Sequence, residues 1–555
     1  MAKNRYIQVI LPLKLEWEPF YSLPEGMEVE VGSRVRVIFA RAFYVGCVSR
    51  VDAVPEVDPK RILPIEAVEK DMPLVQESEI AFWRELARYY LCTVGEVYKV
   101  AYPRAYKGKS TVKLPETALP PFQSQDGELA DALRSASKTV LLRGQGSRPV
   151  LLQQARETLE EGRSVLVLVP EMVKADAVPG ALVFSSALTP GKRKALAEKV
   201  RSGEPCLIIG TRSALFLPFQ NLGLIIVEQE HDPAYKQDAP APRYHARESA
   251  IMLAGIHKAK VILASPTPSL ESLYNARCGR YLELQCNQPQ EAKTIEVINP
   301  SYEYRKNGMA GAFSLKLLSH MRATLDSGQQ VLLVAPRRVY EEGRKVEDNV
   351  LEYFPEARVA NLDQGQPDDE YDIYIASTAT TRGFRCRNLG LVGLVSWDGM
   401  LSRQDFRADE RALQLLRQFL SLSPVLVIQT REPRHPVFKH ISRPEELLES
   451  MLQERSLVGY PPFTRMIKLV VKDEYSESRL HYMAQELAAA MGALGVRVEG
   501  PMKPFQDEPP QEEIRILLPR DKTLLTKKAA ISKTVAAFEA NRKYSGHIAV
   551  DVDPL

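Results

Sequence analysis

Short apolar runs recur in two series, and that recurrence does most to limit what this chain can fold into. The first series lies at 139–142, 165–169, 206–209, 224–227 and 261–264, the second at 331–334, 371–375, 391–395 and 425–428. Helical stretches separate the runs, which is the pattern of doubly wound parallel sheets covered on both faces. Two tandem α/β lobes are therefore predicted, over residues 128–288 and 289–450. The first hundred residues differ. Strand patterns at 6–11, 34–39 and 44–51 are broken by turns such as Leu23-Pro24-Glu25-Gly26, and a helix is predicted over 77–91 from the spacing of Ala81, Phe82, Leu86, Tyr89 and Tyr90. This reads as a small β-rich domain, residues 1–102. A stretch rich in Lys, Pro, Ser and Gln at 103–127 reads as a linker, and 451–555 as an α+β domain ending in the strand alternation of 547–553.

The 555 residues leave room for three to four domains at ~150 residues each. No apolar run approaches the ~18–20 residues of a membrane span, and Met1-Ala2-Lys3-Asn4-Arg5 leads into a strand pattern, not a signal peptide. No membrane partner is expected, and the expected compartment is the cytoplasm. Six cysteines (Cys47, Cys92, Cys206, Cys278, Cys286, Cys386) form no C-x-x-C pair, so reduced core thiols are expected, with no zinc site and no disulfide framework. The net charge is +3, so any nucleic-acid surface must be a local concentration of Lys and Arg.

One segment carries the chemistry. Val227-Glu228-Gln229-Glu230-His231 follows a buried-strand pattern, and open α/β sheets bind ligands at the carboxyl ends of their strands. In nucleic-acid motors an Asp-Glu pair stands there, one carboxylate holding Mg²⁺ through water and the other orienting the attacking water. Here the pair is Glu228 and Gln229. An amide can hydrogen-bond a water but cannot take its proton, and losing a general base costs about 10²–10⁴ in rate. Without other support the segment reads equally well as an ordinary acidic loop.

Other segments supply that support. Gly210-Thr211-Arg212-Ser213-Ala214-Leu215-Phe216, Ser269-Leu270-Glu271-Ser272, Asp405-Phe406-Arg407-Ala408-Asp409-Glu410-Arg411, Gly459-Tyr460-Pro461-Pro462-Phe463 and Asp551-Val552-Asp553-Pro554 together resemble the PriA family of superfamily 2 replication-restart helicases, also called primosomal protein N′. At the N-terminus, Leu23-Pro24-Glu25-Gly26-Met27 and Gly32-x-Arg34-Val35-x-Val37 resemble its DNA-binding module. The resemblance implies two RecA-like helicase lobes, ATP and Mg²⁺ as cofactors, and capture of a nascent strand's 3′ end. The implied partners are DNA and primosome proteins such as replicative helicase loaders and single-stranded DNA-binding protein.

Departures from that pattern change the expectation. Gly144-Gln145-Gly146-Ser147-Arg148-Pro149-Val150-Leu151 stands where the family has G-x-T-G-S-G-K-T. Val150 and Leu151 replace the phosphate-binding Lys and the Mg²⁺-binding Thr, and Pro149 removes an N–H donor. The degenerate nucleotide-binding residues are thus Gly144, Gly146, Ser147 and Arg148, and the degenerate catalytic residues Glu228, Gln229, Glu230 and His231. Ser377-Thr378-Ala379-Thr380-Thr381-Arg382-Gly383 replaces the family's GTQM-x-x-KG block, and the arginine-rich motif expected after Gln418 is absent. No cysteine cluster follows Val334-Ala335-Pro336-Arg337-Arg338, so the zinc module is not expected, and 103–127 is too short for a winged helix. The family's Phe-Asp-Tyr becomes Pro19-Phe20-Tyr21, without the Asp that meets a terminal sugar hydroxyl.

The DNA-binding candidates are Tyr21, Arg34, Arg36, Phe43, Tyr44, Arg212, Tyr235, Lys236, Arg243, Tyr244 and Arg247. Interleaved Tyr, Lys and Arg suit base stacking and phosphate pairing. The same residues also suit a solvated strand face, a structural salt bridge at Arg212, or a loop packing its tyrosines on the lobe. The expected function is a PriA-like primosomal protein that binds forked or single-stranded DNA without ATP-driven unwinding. An active 3′→5′ helicase and a protein-only scaffold are the alternatives.

Overall fold

The computed structural model describes residues 5–102, 114, 127–137, 139–171, 178–185, 187–286, 293–336, 345–365, 370–382, 384, 386–401, 405–473, 477–504, 510–541 and 547–555. The linker expected at 103–127 lies outside the described residues except for Leu114 and Gly127, as do Arg337, Arg338, Val339 and Gly383.

The N-terminal sheet is antiparallel throughout, in the spatial order Phe20–Leu23, Arg5–Ile10, Ala42–Arg50, Arg34–Phe39, Ala67–Val68. Its inner face holds Ile7, Val9, Val35, Val37 and Val48, the period-2 alternation that one buried sheet face requires. The helix Glu77–Tyr90 buries Ile80, Trp83, Leu86, Ala87 and Tyr90 and packs against Ala246–His257 of the first lobe.

A second helix, Val94–Ala101, was not expected from periodicity. Its signal was a capping box: the Thr93 N–H donates to the Glu96 carboxylate at 2.9 Å, and the Glu96 N–H donates to the Thr93 hydroxyl at 3.3 Å. Its start is pressed onto the sheet domain at Gly95, where an added Cβ would stand 2.2 Å from the carbonyl oxygens of both Leu11 and Leu13.

The first lobe is a seven-stranded, wholly parallel sheet in the order Leu282–Gln285, Val140–Arg143, Lys260–Ser265, Leu222–Glu228, Ser164–Leu168, Leu207–Gly210, Leu182–Phe184. The second is six-stranded and parallel: Thr294–Ile298, Val425–Gln429, Leu389–Leu394, Gln330–Val334, Ile373–Ala376, Val359–Asn361. Every run of the two predicted series overlaps a strand. The strands not anticipated, Leu182–Phe184, Leu282–Gln285, Thr294–Ile298 and Val359–Asn361, are the four sheet edges. The C-terminal sheet is antiparallel, Arg497–Met502, Gln511–Pro519, Thr464–Lys472, His547–Val552, with helices Glu477–Gly492 and Leu524–Ala540 packed on it. Among the described residues no helix is long and apolar enough to cross a membrane.

Gly95→Ala separates packing from propensity. Alanine favours a helix by about 1 kcal/mol, whereas overpacking costs about 1–3 kcal/mol, and the two blocking carbonyls are backbone. The substitution is expected to lower the calorimetric melting temperature; a rise would show that the helix and sheet are not in this contact.

Candidate functional site

The strand Leu222–Glu228 ends in the middle of the first sheet, and the chain turns sharply there, with Gln229 at φ 51°. That left-handed backbone is costly for a side-chain-bearing residue, about 1–3 kcal/mol. It directs Glu230 inward, where the residue is wholly buried. The carboxylate accepts from four donors: the Ser269 N–H at 2.7 Å, the Ser269 and Ser272 hydroxyls at 3.0 Å each, and Arg247 Nη1 at 2.7 Å. Ser269 is itself the N-cap of helix Leu270–Arg277, so Glu230 fastens the turn to that helix. His231 Nδ1 is hydrogen-bonded to the Ser265 hydroxyl at 2.7 Å, and burial lowers its proton affinity.

Charge continues outward from this point. The Leu270 N–H donates to Glu410 Oε1 at 2.9 Å, and Arg407 pairs with Glu271 at 2.7 Å, so the two lobes meet through buried ions. Arg455, on helix Glu445–Val458, pairs with Glu410 at 2.7 Å. Burial opposes ionisation of Glu271, yet the guanidinium groups of Arg407, Arg247 and Arg455 hold its carboxyl well below the usual range.

Asp553 closes the network on the C-terminal side, accepting from the Tyr89 hydroxyl and from Arg465, each at 2.7 Å. Burial disfavours its charge, but Arg465, the Tyr89 hydroxyl, Lys528 and Lys236 hold the carboxyl down to about 2. Lys528, over the Tyr89 ring at 4.4 Å, is lowered by burial to about 8. A cavity of only about 40 Å³ remains among Arg407, Glu271, Arg465, Arg520 and Asp553.

Six DNA-facing candidates are corrected by this arrangement, because burial commits them internally. The Tyr235 hydroxyl lies 2.8 and 2.6 Å from the carbonyls of Leu168 and Glu228. Lys236 pairs with Asp551 at 2.7 Å and donates to the carbonyls of Arg243 and Val552 at 2.8 and 2.7 Å. Tyr244 packs edge-on against Phe216 with ring centroids 5.4 Å apart, and Arg247 serves Glu230 and Glu248. Tyr21 lies in the core of the N-terminal domain, its hydroxyl donating to the Ile38 carbonyl at 3.1 Å, with its proton affinity pushed up to about 12 by burial. Arg34 is buried over the rings of Tyr98 and Tyr102, at 5.0 and 4.3 Å.

The other candidates reach the surface to different degrees. Phe43 is 67% exposed and Tyr44 half-buried. Arg36 is exposed and paired with Glu69, Arg243 is half-buried, and Arg212 donates to the Ala234 carbonyl at 2.6 Å.

At the Gly144–Gly146 turn both glycines have positive φ, 106° and 74°, and a Cβ on Gly144 would stand 2.3 Å from the Cys286 carbonyl oxygen. Helix Arg148–Glu160 starts before the positions of the missing Lys and Thr. Val150 and Leu151 therefore sit inside the helix, in the apolar core under the sheet. Arg143, just before the turn, pairs with Glu283 at 2.6 Å and Glu445 at 3.5 Å. Among the described residues no group of three or more His, Cys, Asp or Glu is placed to hold a metal ion.

The structure also shows a cleft that sequence reasoning missed, about 1010 Å³ on the N-terminal domain. Trp17, Phe20, Phe39, Arg50 and Arg61 contribute to its lining. The usable signal was Trp17, an aromatic residue in a polar loop beside Pro19-Phe20-Tyr21.

Two RecA-like parallel-sheet lobes joined through buried ions, behind an antiparallel β domain, define a helicase-like fold. Residues 8–103 match the family model described as the PriA 3′DNA-binding domain, and residues 456–555 the primosomal protein N C-terminal domain. Curated relatives include the replication restart protein PriA of Rickettsia felis, 24% identical with 99% of each chain covered. PriA of Haemophilus influenzae is 28% identical over 74% of this chain and 68% of that one. Among solved structures, the Mycobacterium smegmatis helicase Lhr bound to ssDNA and AMP-PNP is similar over 58% of this chain and 47% of that chain, at TM-score 0.39 and 13% identity. Both terminal domains thus match PriA family models, and nearly the whole chain is similar to replication restart protein PriA.

Glu230→Ala leaves Arg247 and three other buried donors without their acceptor, and breaking a buried pair costs about 3–5 kcal/mol. A correspondingly large fall in unfolding midpoint is expected in denaturant titration. A pH effect follows from Asp553. The unfolded carboxyl takes up its proton near 3.8 while the folded one holds off until about 2, so this stabilisation is full above pH 3.8 and is lost as pH falls through 2. At 1.36 kcal/mol per unit it amounts to about 2 kcal/mol, and Asp553→Asn is expected to flatten the pH dependence of melting between pH 4 and 2.

Proposed function

We propose that this chain serves DNA replication restart by binding forked or single-stranded DNA and helping to assemble the primosome, without ATP-driven unwinding. The DNA-binding part is supported by the match of residues 8–103 to a 3′DNA-binding domain and by the aromatic and basic residues around the cleft on that domain. Phe43, Tyr44, Arg36, Arg212 and Arg243 are the sequence candidates retained for it, with Trp17 and Arg61 added from the cleft.

The ATP-independent part rests on one observation: Val150 and Leu151 are each 2% exposed and packed in the core. The residues present do not fit a Mg²⁺–ATP grip. No ammonium or hydroxyl stands at those positions, Pro149 lacks an N–H, Gln229 cannot accept the proton of an attacking water, and the Glu230 carboxylate is occupied by four donors. No step of the proposed activity is routed through nucleotide. Helicase loaders and single-stranded DNA-binding protein as partners, and a cytoplasmic location, belong to the same reading.

A second reading, an active helicase, draws on Glu228, which keeps a carboxylate at the strand's end. Fluorescence anisotropy with a fork carrying a 3′ leading-strand end, plain duplex and single strand, at two salt concentrations, tests the proposal. The expected result is tighter, salt-sensitive binding to the fork and no DNA-stimulated ATP hydrolysis. Hydrolysis abolished by Glu228→Gln would establish the helicase reading instead, and equal or absent binding to all three DNAs would leave a protein-only scaffold.

A further inference from the structure

The strands Arg34–Phe39 and Ala42–Arg50 form a hairpin whose tip has an unusual build. Phe39 pairs with Ala42 and Ile38 with Phe43, leaving a two-residue turn, Ala40-Arg41, with φ 49° and 66°. Positive φ at both central residues is the geometry that matches the twist of paired strands, and it ordinarily selects Asn-Gly. Here neither residue is glycine, so the tight tip is held at a backbone cost of about 1–3 kcal/mol per residue.

The tip is apolar on both sides and basic at its apex. Residues paired across antiparallel strands share a face. Phe43 therefore lies with Ile38 on one face and is 67% exposed, while Phe39 on the other face meets Trp17, itself 57% exposed, at a centroid distance of 6.2 Å. Arg41 is exposed at the apex. The base of the hairpin is rigid by contrast: Arg34 is sandwiched with Tyr98 and Tyr102, and the Tyr98 hydroxyl donates to the Val45 carbonyl at 3.1 Å. Ile38, Phe39 and Ala40 also form one wall of the cleft of about 1010 Å³, with Arg50 and Arg61 among its other lining residues.

Resting on the DNA-binding reading above, we infer that this hairpin tip is a wedge that caps the terminal base pair at a DNA branch point. Phe43 stacks on the pair, Arg41 meets the backbone where the strands part, and one parted strand passes over the Trp17–Phe39 side toward the cleft. Exposed rings are costly in water and gain where a base face is offered. A branch supplies that face together with phosphates on both sides. An uninterrupted duplex supplies phosphates only, because its base faces are stacked on one another.

A fork carrying 2-aminopurine in the terminal pair of the parental duplex tests this in the absence of nucleotide. Capping suppresses fraying, so emission is expected to fall at least twofold on saturation with the full chain. Phe43→Ala is expected to remove the quench and weaken fork binding about 5–150-fold, from stacking of ~1–3 kcal/mol per base. Phe43→Tyr is expected to restore both. The exposed position of Phe43 leaves the melting temperature of either variant unchanged, so loss of folding does not imitate the result. Fork binding that persists with unchanged or increased emission, or that is indifferent to Phe43→Ala, overturns the wedge and leaves DNA binding standing. Absence of fork binding by the unaltered chain overturns the DNA-binding reading itself.

Discussion

The buried carboxylate of Glu230 is the point from which the molecule is organised. A charge inside protein is tolerated only when its lone pairs are met, since desolvation costs several kcal/mol per ion. Four donors meet this one. Meeting them fixes the start of helix Leu270–Arg277, and that helix presents its Leu270 N–H and the Glu271 carboxylate to the second lobe. Arg407 and Glu410 answer from that lobe, and Arg455 links Glu410 to the helix leading into the C-terminal domain. Each ion is satisfied by a residue from another part of the chain. The lobes are consequently held in one relation by groups that cannot be separated without leaving a bare charge behind.

This arrangement changes the meaning of the residues between the first strand end and Arg247. In sequence, Tyr235, Lys236, Tyr244 and Arg247 have the composition of a nucleic-acid contact. In space Tyr235, Tyr244 and Arg247 serve the interior of the first lobe, while Lys236 ties it to the last strand and to the helix Glu77–Tyr90. Tyr90 exchanges hydrogen bonds with the backbone of His245, at 3.3 and 2.9 Å, and Lys236 sits over its ring at 5.6 Å. Composition does not distinguish a ring offered to a base from a ring offered to a neighbouring domain. Burial does, and burial is a tertiary property.

Much of the architecture was legible because the two series of apolar runs are buried on both faces, the strongest signal a strand can carry. Edge strands such as Leu282–Gln285 were not, since two of their neighbours in space are solvent and one partner, and their side chains need not be apolar. Within the site, the chemical departures at Gln229, Val150 and Leu151 could be seen residue by residue. What could not be seen was the use made of Glu230, whose partners lie near positions 247 and 270, nor the burial of Arg34, whose partners are Tyr98 on the helix Val94–Ala101 and Tyr102 just after it. The cleft on the N-terminal domain was illegible for a similar reason: its walls come from six separate stretches between Gln8 and Gly95.

The tie between Lys236 and the last strand has a bearing on the order in which the chain is made. The lysine and the Val552 carbonyl that accepts from it are 316 positions apart, a distance covered in roughly 15–60 s at about 5–20 residues per second. Once Gln285 has been added every strand of the first lobe is made, yet Asp551, the counterion for a lysine its own fold would bury, is still to come. Burying a lysine without its counterion is costly, so closure of this junction is coupled to the arrival of the strand His547–Val552.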